Sequence, residues 1–193
     1  MTRADNHPPG GGATVFAPLI EHVSPVDRIG IVGIGGLGHL AITFAAKMGC
    51  DVVVFSGTES KREEAMKLGA TEFYATKGVE DYSTLGLKKP LNHLLLTTSV
   101  APERMEVYYP ILDQRAKIFP LTVDFGTLQT AYGPTIFRGM QIIGSKLASR
   151  YVQCVAFPIK TDLTFEGSRI NLVRRCLSLP PATRWSPSSR SSP

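Results

Sequence analysis

The sequence predicts an α/β fold built on a doubly wound, parallel β-sheet. Short runs of branched apolar residues alternate along the chain with segments whose apolar residues recur at helical spacing. The strand-like runs are apolar throughout, which is typical of parallel strands covered by helices on both faces. A glycine-rich turn joins the first run to the first helical segment. With 193 residues, 43% of them hydrophobic, the chain can bury one sizeable core.

The first strand, the first helix and the second strand follow one another closely. Residues 29–34 form a branched apolar run, and residues 37–48 place apolar side chains on one helical face. Gly49 lies where a C-terminal helix cap belongs. The run DVVVF at 51–55 predicts a second, buried strand. Together these elements are predicted to form a βαβ unit.

A second helix is predicted after the second strand. Ser60 and Glu63 have the spacing of a capping box. Glu63 and Lys67 have the spacing of an i,i+4 ion pair, and Gly69 marks the end of the helix. The remaining predicted elements are strands at 73–76, 94–98, 117–121 and 140–144 and a helix at 102–112.

The two ends of the chain differ in composition from its middle. Residues 1–145 hold 13 basic and 14 acidic side chains, whereas residues 146–193 hold 8 and 2, so the net charge of +5 resides in the second part. Segment 151–193 is rich in Ser, Pro and Arg and is predicted to be irregular, as is segment 1–12. The basic residues of the C-terminal segment do not form a run, which argues against nucleic-acid binding, although a phosphate-binding arm is an alternative.

Targeting and cysteine patterns indicate an ordinary globular protein. No uninterrupted apolar stretch reaches the ~18 residues that a membrane helix needs. The N-terminus is polar and glycine-rich and lacks the apolar region of a signal peptide. We therefore expect a cytoplasmic protein with no membrane partner. The three cysteines are far apart and indicate neither a disulfide framework nor a zinc knuckle.

A GxGxxG motif, formed by Gly33, Gly35 and Gly38, lies at the junction of the first strand and the first helix. The first glycine permits the tight turn, the second lets the backbone approach a pyrophosphate, and the third lets the helix pack on the strand. The helix N-terminus then faces the phosphates with unpaired N–H groups. Inside a βαβ unit the motif predicts a dinucleotide-binding fold of the Rossmann type, although a glycine-rich turn without a ligand is the alternative.

The residues that end the second strand indicate which dinucleotide is bound. An NAD site places Asp or Glu there to accept hydrogen bonds from the ribose, but this chain has Ser56. Hydroxyl side chains followed by Lys61 and Arg62 favour the 2′-phosphate of NADP, which an acid would repel. An ordinary solvated helix turn is the alternative, and Glu59 in the same turn agrees with it. We expect NADP(H) as the cofactor.

The chain resembles the nucleotide-binding half of the zinc-dependent medium-chain alcohol dehydrogenases in four segments: GGATVFAPL, GIVGIGGLGHLAITFAAKMG, SKREEAMKLGATEF and IIGSKLASR. The resemblance is strongest to the cinnamyl-alcohol-dehydrogenase-like, NADP-dependent branch. It implies six parallel strands and an NADP-binding domain over residues 13–150. It also implies cofactor contacts at Thr14, Gly35, Gly36, Leu37, Ser56, Thr58, Lys61 and Thr97.

The zinc ligands of that family are not matched by this chain. The segment aligned with PPGGGATVFAPL usually begins with a cysteine that ligates catalytic zinc, and Gly10 stands at that place. The other expected ligands belong to a catalytic domain without a counterpart here, and the four histidines do not replace them. The resemblance implies no metal role for His39, and His93 within LNHLLL is expected to be a packed or edge residue. We therefore expect no zinc site and no catalytic residue in this chain.

The resemblance implies an oxidoreductase that interconverts aldehydes and alcohols with NADP(H). In that family zinc polarises the carbonyl and the nicotinamide supplies the hydride. A non-catalytic NADP-binding module is one alternative, and a zinc-independent reductase of the quinone reductase type is another, because the fold alone does not choose among them.

The resemblance also bears on assembly and on the C-terminus. Relatives commonly dimerise through the edges of their nucleotide-binding sheets, which implies a homodimer contact within residues 121–145. After Arg150 the resemblance is lost near the place where the charge changes. We therefore expect a truncated or frame-shifted product.

Overall fold

Six strands form one parallel sheet in the computed structural model of the protein, which describes residues 9–100, 102 and 104–145. The strands are β1 (Arg28–Val32), β2 (Asp51–Ser56), β3 (Glu72–Ala75), β4 (Leu91–Leu96), β5 (Leu112–Pro120) and β6 (Gln141–Ile142). Their order in the sheet is β3-β2-β1-β4-β5-β6, and each neighbouring pair is parallel. The chain winds outward from β1 to β3 and then crosses to β4 on the other side of β1. The predicted Rossmann-type doubly wound sheet is confirmed.

Helices connect the strands. The α-helices are α1 (Pro9–His22), α2 (Gly36–Met48), α3 (Arg62–Leu68) and α4 (Tyr132–Phe137), and the 3₁₀ helices are Glu59–Lys61, Tyr82–Leu85 and Met105–Ile111. Among the described residues, no helix combines the length and the apolar character that a membrane crossing requires.

The core has two layers, one on each face of the sheet. Side chains of β2 alternate between them, with Val52 and Val54 in the layer under α1, α2 and α3 and Val53 and Phe55 in the other layer. That second layer lies under the 3₁₀ helices Tyr82–Leu85 and Met105–Ile111. All four side chains are completely buried. Burying a Val or Phe side chain contributes about 1.5–3 kcal/mol, so an apolar run with this two-sided burial stabilises the centre of the sheet.

Two helix ends and one ion pair follow the sequence prediction. Gly49 and Gly69 end α2 and α3 in the left-handed region, with φ of 93° and 107°. The Glu63 carboxylate lies 3.5 Å from the Lys67 ammonium. The capping box is wrong, because the Ser60 hydroxyl donates to the Thr58 hydroxyl and a 3₁₀ turn over Glu59–Lys61 precedes α3.

Two further predictions are corrected by the structure. Residues 9–12 are not irregular but begin α1, because Val15, Phe16 and Leu19 of that helix are buried and tertiary packing overrides the low helix propensity of glycine. The helix predicted at 102–112 is a 3₁₀ helix from Met105 to Ile111, which contains Pro110. Residues 1–8 and 146–193 lie outside the described residues, so the irregular ends and the boundary at 150 stay predictions.

Strand β5 begins five residues earlier than predicted because its register against β4 is irregular. The register shifts between Leu91 and His93, and Arg115 in β5 adopts a left-handed φ of 58°. The Arg115 N–H donates to the carbonyl of Arg138, 2.8 Å away, which satisfies the bulged backbone.

A charge network around the buried Arg28 side chain joins the amino ends of β1, β2 and β3. The Arg28 side chain is only 8% exposed and pairs with the carboxylates of Asp51 and Glu72. The hydroxyl of Thr71 donates to Asp51, and that of Tyr74 donates to Glu72. Burial raises the pKa of both carboxyls, but these hydrogen bonds and the arginine charge outweigh it and lower both pKa values. The network therefore favours the ionised form of both carboxyls.

His93 is a packed residue of β4, as expected. Its Nε2 lies 3.0 Å from Oδ2 of Asp27, and its ring packs beside Phe119. Its buried Nδ1 has no hydrogen-bond partner among the described residues. Burial lowers the pKa of the imidazole, the nearby Lys117 and His22 lower it further, and Asp27 only partly opposes them.

We predict that His93 makes the fold less stable as the pH falls. Because its folded pKa is depressed, the contribution of neutral His93 is complete above the ordinary histidine pKa of about 6.5. It is lost as the pH falls toward the folded pKa, by at most about 1.4 kcal/mol per pH unit. Urea unfolding between pH 7 and 5 measures this slope. His93→Gln keeps a donor for Asp27 without titrating, so equal slopes in both proteins would contradict the prediction.

Candidate nucleotide-binding site

The candidate site lies at the carboxyl ends of β1 and β4, which are neighbours in the sheet. The chain leaves β1 toward β2 on one side, and it leaves β4 toward β5 on the other. This divergence opens a crevice, which in doubly wound sheets is where ligands bind. The residues that follow β1, numbers 33–38, are called the glycine loop below.

The three motif glycines of the loop have different physical roles. Gly33 has φ +99°, which side-chain-bearing residues rarely adopt. A Cβ at Gly38 would lie 2.1 Å from the Gly33 carbonyl oxygen, so α2 can approach β1 only with glycine there. A Cβ at Gly35 would meet nothing within 4 Å, and its backbone is extended. The protein's own packing therefore does not require glycine at position 35, but a pyrophosphate close to the backbone would.

The N-terminus of α2 opens onto that space. Gly35 is the N-cap residue and provides no side chain to cap the helix, which then begins with Gly36 and Leu37. The first amides of a helix have no partner within the helix, and they favour an anion. The two open features, at Gly35 and at the first turn of α2, fit a dinucleotide pyrophosphate.

Thr97 holds the loop from the neighbouring strand. Its hydroxyl lies 2.9 Å from the carbonyl oxygen of Val32 and 3.1 Å from that of Gly33, and the residue is buried. These contacts fix the start of the glycine loop against β4. As a direct cofactor contact, Thr97 stays a prediction.

Residues 56–61, called the selector segment below, follow β2 beside the loop. Ser56 is buried at the end of β2, and Thr58 is exposed. The Lys61 ammonium donates to the carbonyl of Ile34, 2.9 Å away. The structure thus brings three predicted cofactor residues of this segment, Ser56, Thr58 and Lys61, to the side of the glycine loop. Their contacts with a cofactor stay predictions.

Arg62 is engaged within the protein instead of facing the loop. Its guanidinium donates to the Glu59 carboxylate and lies 4.9 Å above the ring of Phe73. The guanidinium of Arg62 therefore offsets the charge of the Glu59 carboxylate. The sequence alternative, in which Glu59 belongs to a solvated helix turn, is compatible with this exposed ion pair.

The remaining predicted residue, Thr14, lies in α1. This helix packs against α2, and a Cβ at Gly11 would touch the side chain of Leu37. Thr14 follows Gly11 by three residues and is therefore on the same side of α1. The N-terminal turns of α1 and α2 are thus adjacent at the crevice.

Sequence reasoning missed a link between His39 and Glu64. The ring Nδ1 of His39 lies 2.9 Å from the Gly35 carbonyl oxygen, and its Nε2 lies 2.8 Å from a carboxylate oxygen of Glu64. The i,i+4 spacing of Gly35 and His39 could have indicated the first contact. The second joins two helices, and no local pattern reports it.

The zinc ion that the resemblance implies does not fit the described residues. No three His, Cys, Asp or Glu side chains within residues 9–100, 102 and 104–145 lie close enough to bind one ion. Gly10 lies in α1. Burial raises the pKa of the Cys50 thiol to about 11, and the thiol donates to the Ser24 carbonyl. We therefore assign no chemical step to zinc.

Two glycine substitutions should separate folding from binding. Gly35→Ala should leave the melting temperature nearly unchanged but weaken binding of NADPH, because its Cβ fills only the open space. Gly38→Ala should lower stability by about 1–3 kcal/mol through the clash with the Gly33 carbonyl. Calorimetric titration and thermal unfolding measure both effects. Unchanged NADPH binding by Gly35→Ala would show that the crevice does not hold the pyrophosphate.

Comparison with known proteins agrees with this geometry. The family model of the zinc-binding dehydrogenases matches residues 36–157, which is more than half of the chain. Aldehyde reductase AdhA of Synechocystis sp. is 36% identical over 105 residues, covering 48% of this chain and 31% of that protein. NADP-dependent alcohol dehydrogenase C 1 of Mycolicibacterium smegmatis is 39% identical over 75 residues, covering 38% and 22%.

A solved structure shares the fold. The CAD of Helicobacter pylori, crystallised with NADP(H), superposes with a TM-score of 0.65 at 24% identity, covering 79% of this chain and 44% of that chain. The chain spans less than a third of the length of the two sequence relatives. The chain therefore belongs to the zinc-binding dehydrogenase family and spans the nucleotide-binding half of a zinc-type medium-chain alcohol dehydrogenase.

Proposed function

We propose that the chain binds NADP(H) at the crevice and serves as the cofactor-binding half of an NADP-dependent alcohol dehydrogenase or aldehyde reductase. The observation that carries the proposal is Lys61, a cation held 2.9 Å from the glycine loop beside a strand that ends in Ser56 instead of an acid. The NADP-dependent Mycolicibacterium relative and the Helicobacter protein crystallised with NADP(H) support the same cofactor.

The charges near the selector segment favour a 2′-phosphate. An ammonium has three donors, so a hydrogen bond from Lys61 to Ile34 leaves donors for phosphate oxygens. Glu59 is the nearest acid in sequence, and its hydrogen bonds from Arg62 lower its pKa and pair its charge. A phosphate at the segment would therefore meet Lys61 and hydroxyl side chains, with the charge of Glu59 already paired.

The role of this chain in the reaction is to bind and orient the cofactor. Its nicotinamide, when bound, carries the hydride of an aldehyde–alcohol conversion. The glycine loop and α2 hold the pyrophosphate, while the selector segment holds the 2′-phosphate. We assign no catalytic residue to this chain. A non-catalytic NADP-binding module and a quinone-reductase-type enzyme are the other candidate functions, and metal content together with turnover of a cinnamaldehyde-like substrate distinguishes them.

NADPH should bind about tenfold to hundredfold more tightly than NADH, because a charge-assisted contact contributes about 1.5–3 kcal/mol. Ser56→Asp should reverse the preference, and Lys61→Ala should reduce it. Lys67→Ala removes the same charge from α3, where Lys67 is exposed and pairs with Glu63, so it should leave the ratio unchanged. Calorimetric titration of each protein with both nucleotides gives the ratios. Equal affinities in the wild-type chain would overturn the proposal.

We also propose that two copies associate at the edge of the sheet formed by β6, which pairs only with β5 among the described residues. This edge strand has only two residues, and the segment that precedes it exposes large apolar side chains. Phe125 is 98% exposed and Phe137 is 89% exposed, and Val123, Tyr132 and Ile136 are exposed as well. An apolar surface next to an unpaired strand edge favours association with a matching edge.

Light scattering at micromolar concentrations should therefore find a dimer. The double variant with Phe125→Asp and Phe137→Asp should be monomeric, because two charges would be buried at the contact. Val26→Asp changes an equally exposed apolar residue before β1, away from this edge, and should leave the dimer intact. A wild-type monomer over this range would contradict the assembly.

A further inference from the structure

We infer that His39 and Glu64 are positioning residues that set the selectivity for NADP(H), by tying the glycine loop to the helix that follows the selector segment. The inference rests on the proposed function. Neither residue is among the predicted cofactor contacts.

One end of the link controls the direction of a loop peptide. The Gly35 carbonyl accepts from the backbone N–H of His39 at 3.0 Å and faces the ring Nδ1 of the same residue at 2.9 Å. A trans peptide is planar, with its C=O and N–H pointing in opposite directions. Holding the Gly35 carbonyl therefore also sets where the Gly36 N–H points, which is out of the first turn of α2 and into the crevice.

The other end of the link, Glu64, lies one helical turn from Lys61, the cation proposed to bind the 2′-phosphate. Glu64 follows Lys61 by three residues, so the two side chains leave the same side of the turn. Lys61 contacts the Ile34 carbonyl, and Glu64 reaches the next carbonyl, that of Gly35, through His39. Because the Gly35 carbonyl and the Glu64 carboxylate are both acceptors, the link is complete in the imidazolium form of His39, which donates from both ring nitrogens. In that form two consecutive peptides of the loop are fastened to the start of α3.

The Lys61 bond and the His39–Glu64 link couple binding of the pyrophosphate to binding of the 2′-phosphate. If the loop and the selector segment keep one relative position, a pyrophosphate on the loop places the adenosine ribose at one distance from Lys61 and Ser56. Without the link, that distance is held only by the Lys61 bond and, at the start of the loop, by the bond from the Gly33 N–H to the Phe55 carbonyl. A cofactor that carries a 2′-phosphate would lose more affinity than one that lacks it, because only the former uses both anchor points.

The link is a minor contributor to stability. The side chains of His39 and Glu64 are 36% and 50% exposed. Exposed ion pairs contribute little to folding, so breaking this one should hardly change the melting temperature. A change in nucleotide selectivity can therefore be separated from a change in fold.

The test compares Glu64→Ala, Glu64→Gln and Glu63→Ala with the wild-type chain by titration with NADPH and with NADH. Glu64→Ala should lower the NADPH-to-NADH affinity ratio about threefold to tenfold, the effect of one lost hydrogen bond. Glu64→Gln keeps an oxygen that can accept from Nε2 and should restore most of the ratio. Glu63→Ala removes the neighbouring exposed acid, which pairs only with Lys67 in the ion pairs of the described residues, and should leave the ratio unchanged.

The sign of the change in the NADPH-to-NADH affinity ratio distinguishes a positioning role of Glu64 from a direct effect of its charge. Removing an acid near a phosphate would by electrostatics alone strengthen NADPH binding, in Glu64→Ala and in Glu64→Gln alike. A ratio that rises or stays constant in Glu64→Ala, in a chain whose wild type prefers NADPH, overturns this inference and leaves the proposed function standing. A wild type without that preference overturns both.

Discussion

The contact between α2 and the end of β1 is the constraint on which the candidate site depends. At Gly38 the helix comes so close to the Gly33 carbonyl that a single added carbon would lie 2.1 Å from its oxygen. Thr97, which directly follows β4, donates to the same carbonyl, so α2 and the ends of β1 and β4 meet at one peptide. If α2 moved outward, its first turn would leave the crevice, and the bond from Lys61 to the loop would break. The sheet order, the loop and the selector segment therefore fit only one placement of this helix.

The two ends of the sheet serve different purposes. At the amino ends, the carboxylates of Asp51 and Glu72 pair with the buried guanidinium of Arg28. At the carboxyl ends, the N-terminus of α2 lacks a side-chain cap, and the space beside Gly35 is open. Buried charges need partners within the fold, whereas helix amides that await an anion must be left accessible. Stability and binding thus depend on different residues, which is why substitutions at Gly35 and Gly38 are expected to act so differently.

The sheet and the glycine loop could be predicted because their signals are local. An apolar run of five or six residues, a glycine with a required positive φ and a helix that ends at Gly49 are each specified within one segment. The helical state of residues 9–12 could not be predicted, because it depends on packing of α1 against α2. The 3₁₀ geometry around Pro110, the bulge at Arg115 and the contact between His39 and Glu64 arise from neighbours far away in sequence. Candidate site residues could thus be named from the sequence, while the bonds between them could not.

Under the proposed function Lys61 has two roles, and the two nucleotides would separate them. Its bond to Ile34 holds the glycine loop, which any nicotinamide dinucleotide would use through its pyrophosphate. Its charge would act on a 2′-phosphate, which only NADP(H) carries. NADH affinity therefore reports the structural role, and the difference between NADPH and NADH reports the electrostatic one. Because the Lys61 bond and the His39 link hold adjacent peptides, a loss of either should be felt more strongly when the other is absent. Because both contacts hold the same loop, the effects of substitutions at Lys61 and at Glu64 on the binding free energy of the cofactor should not add.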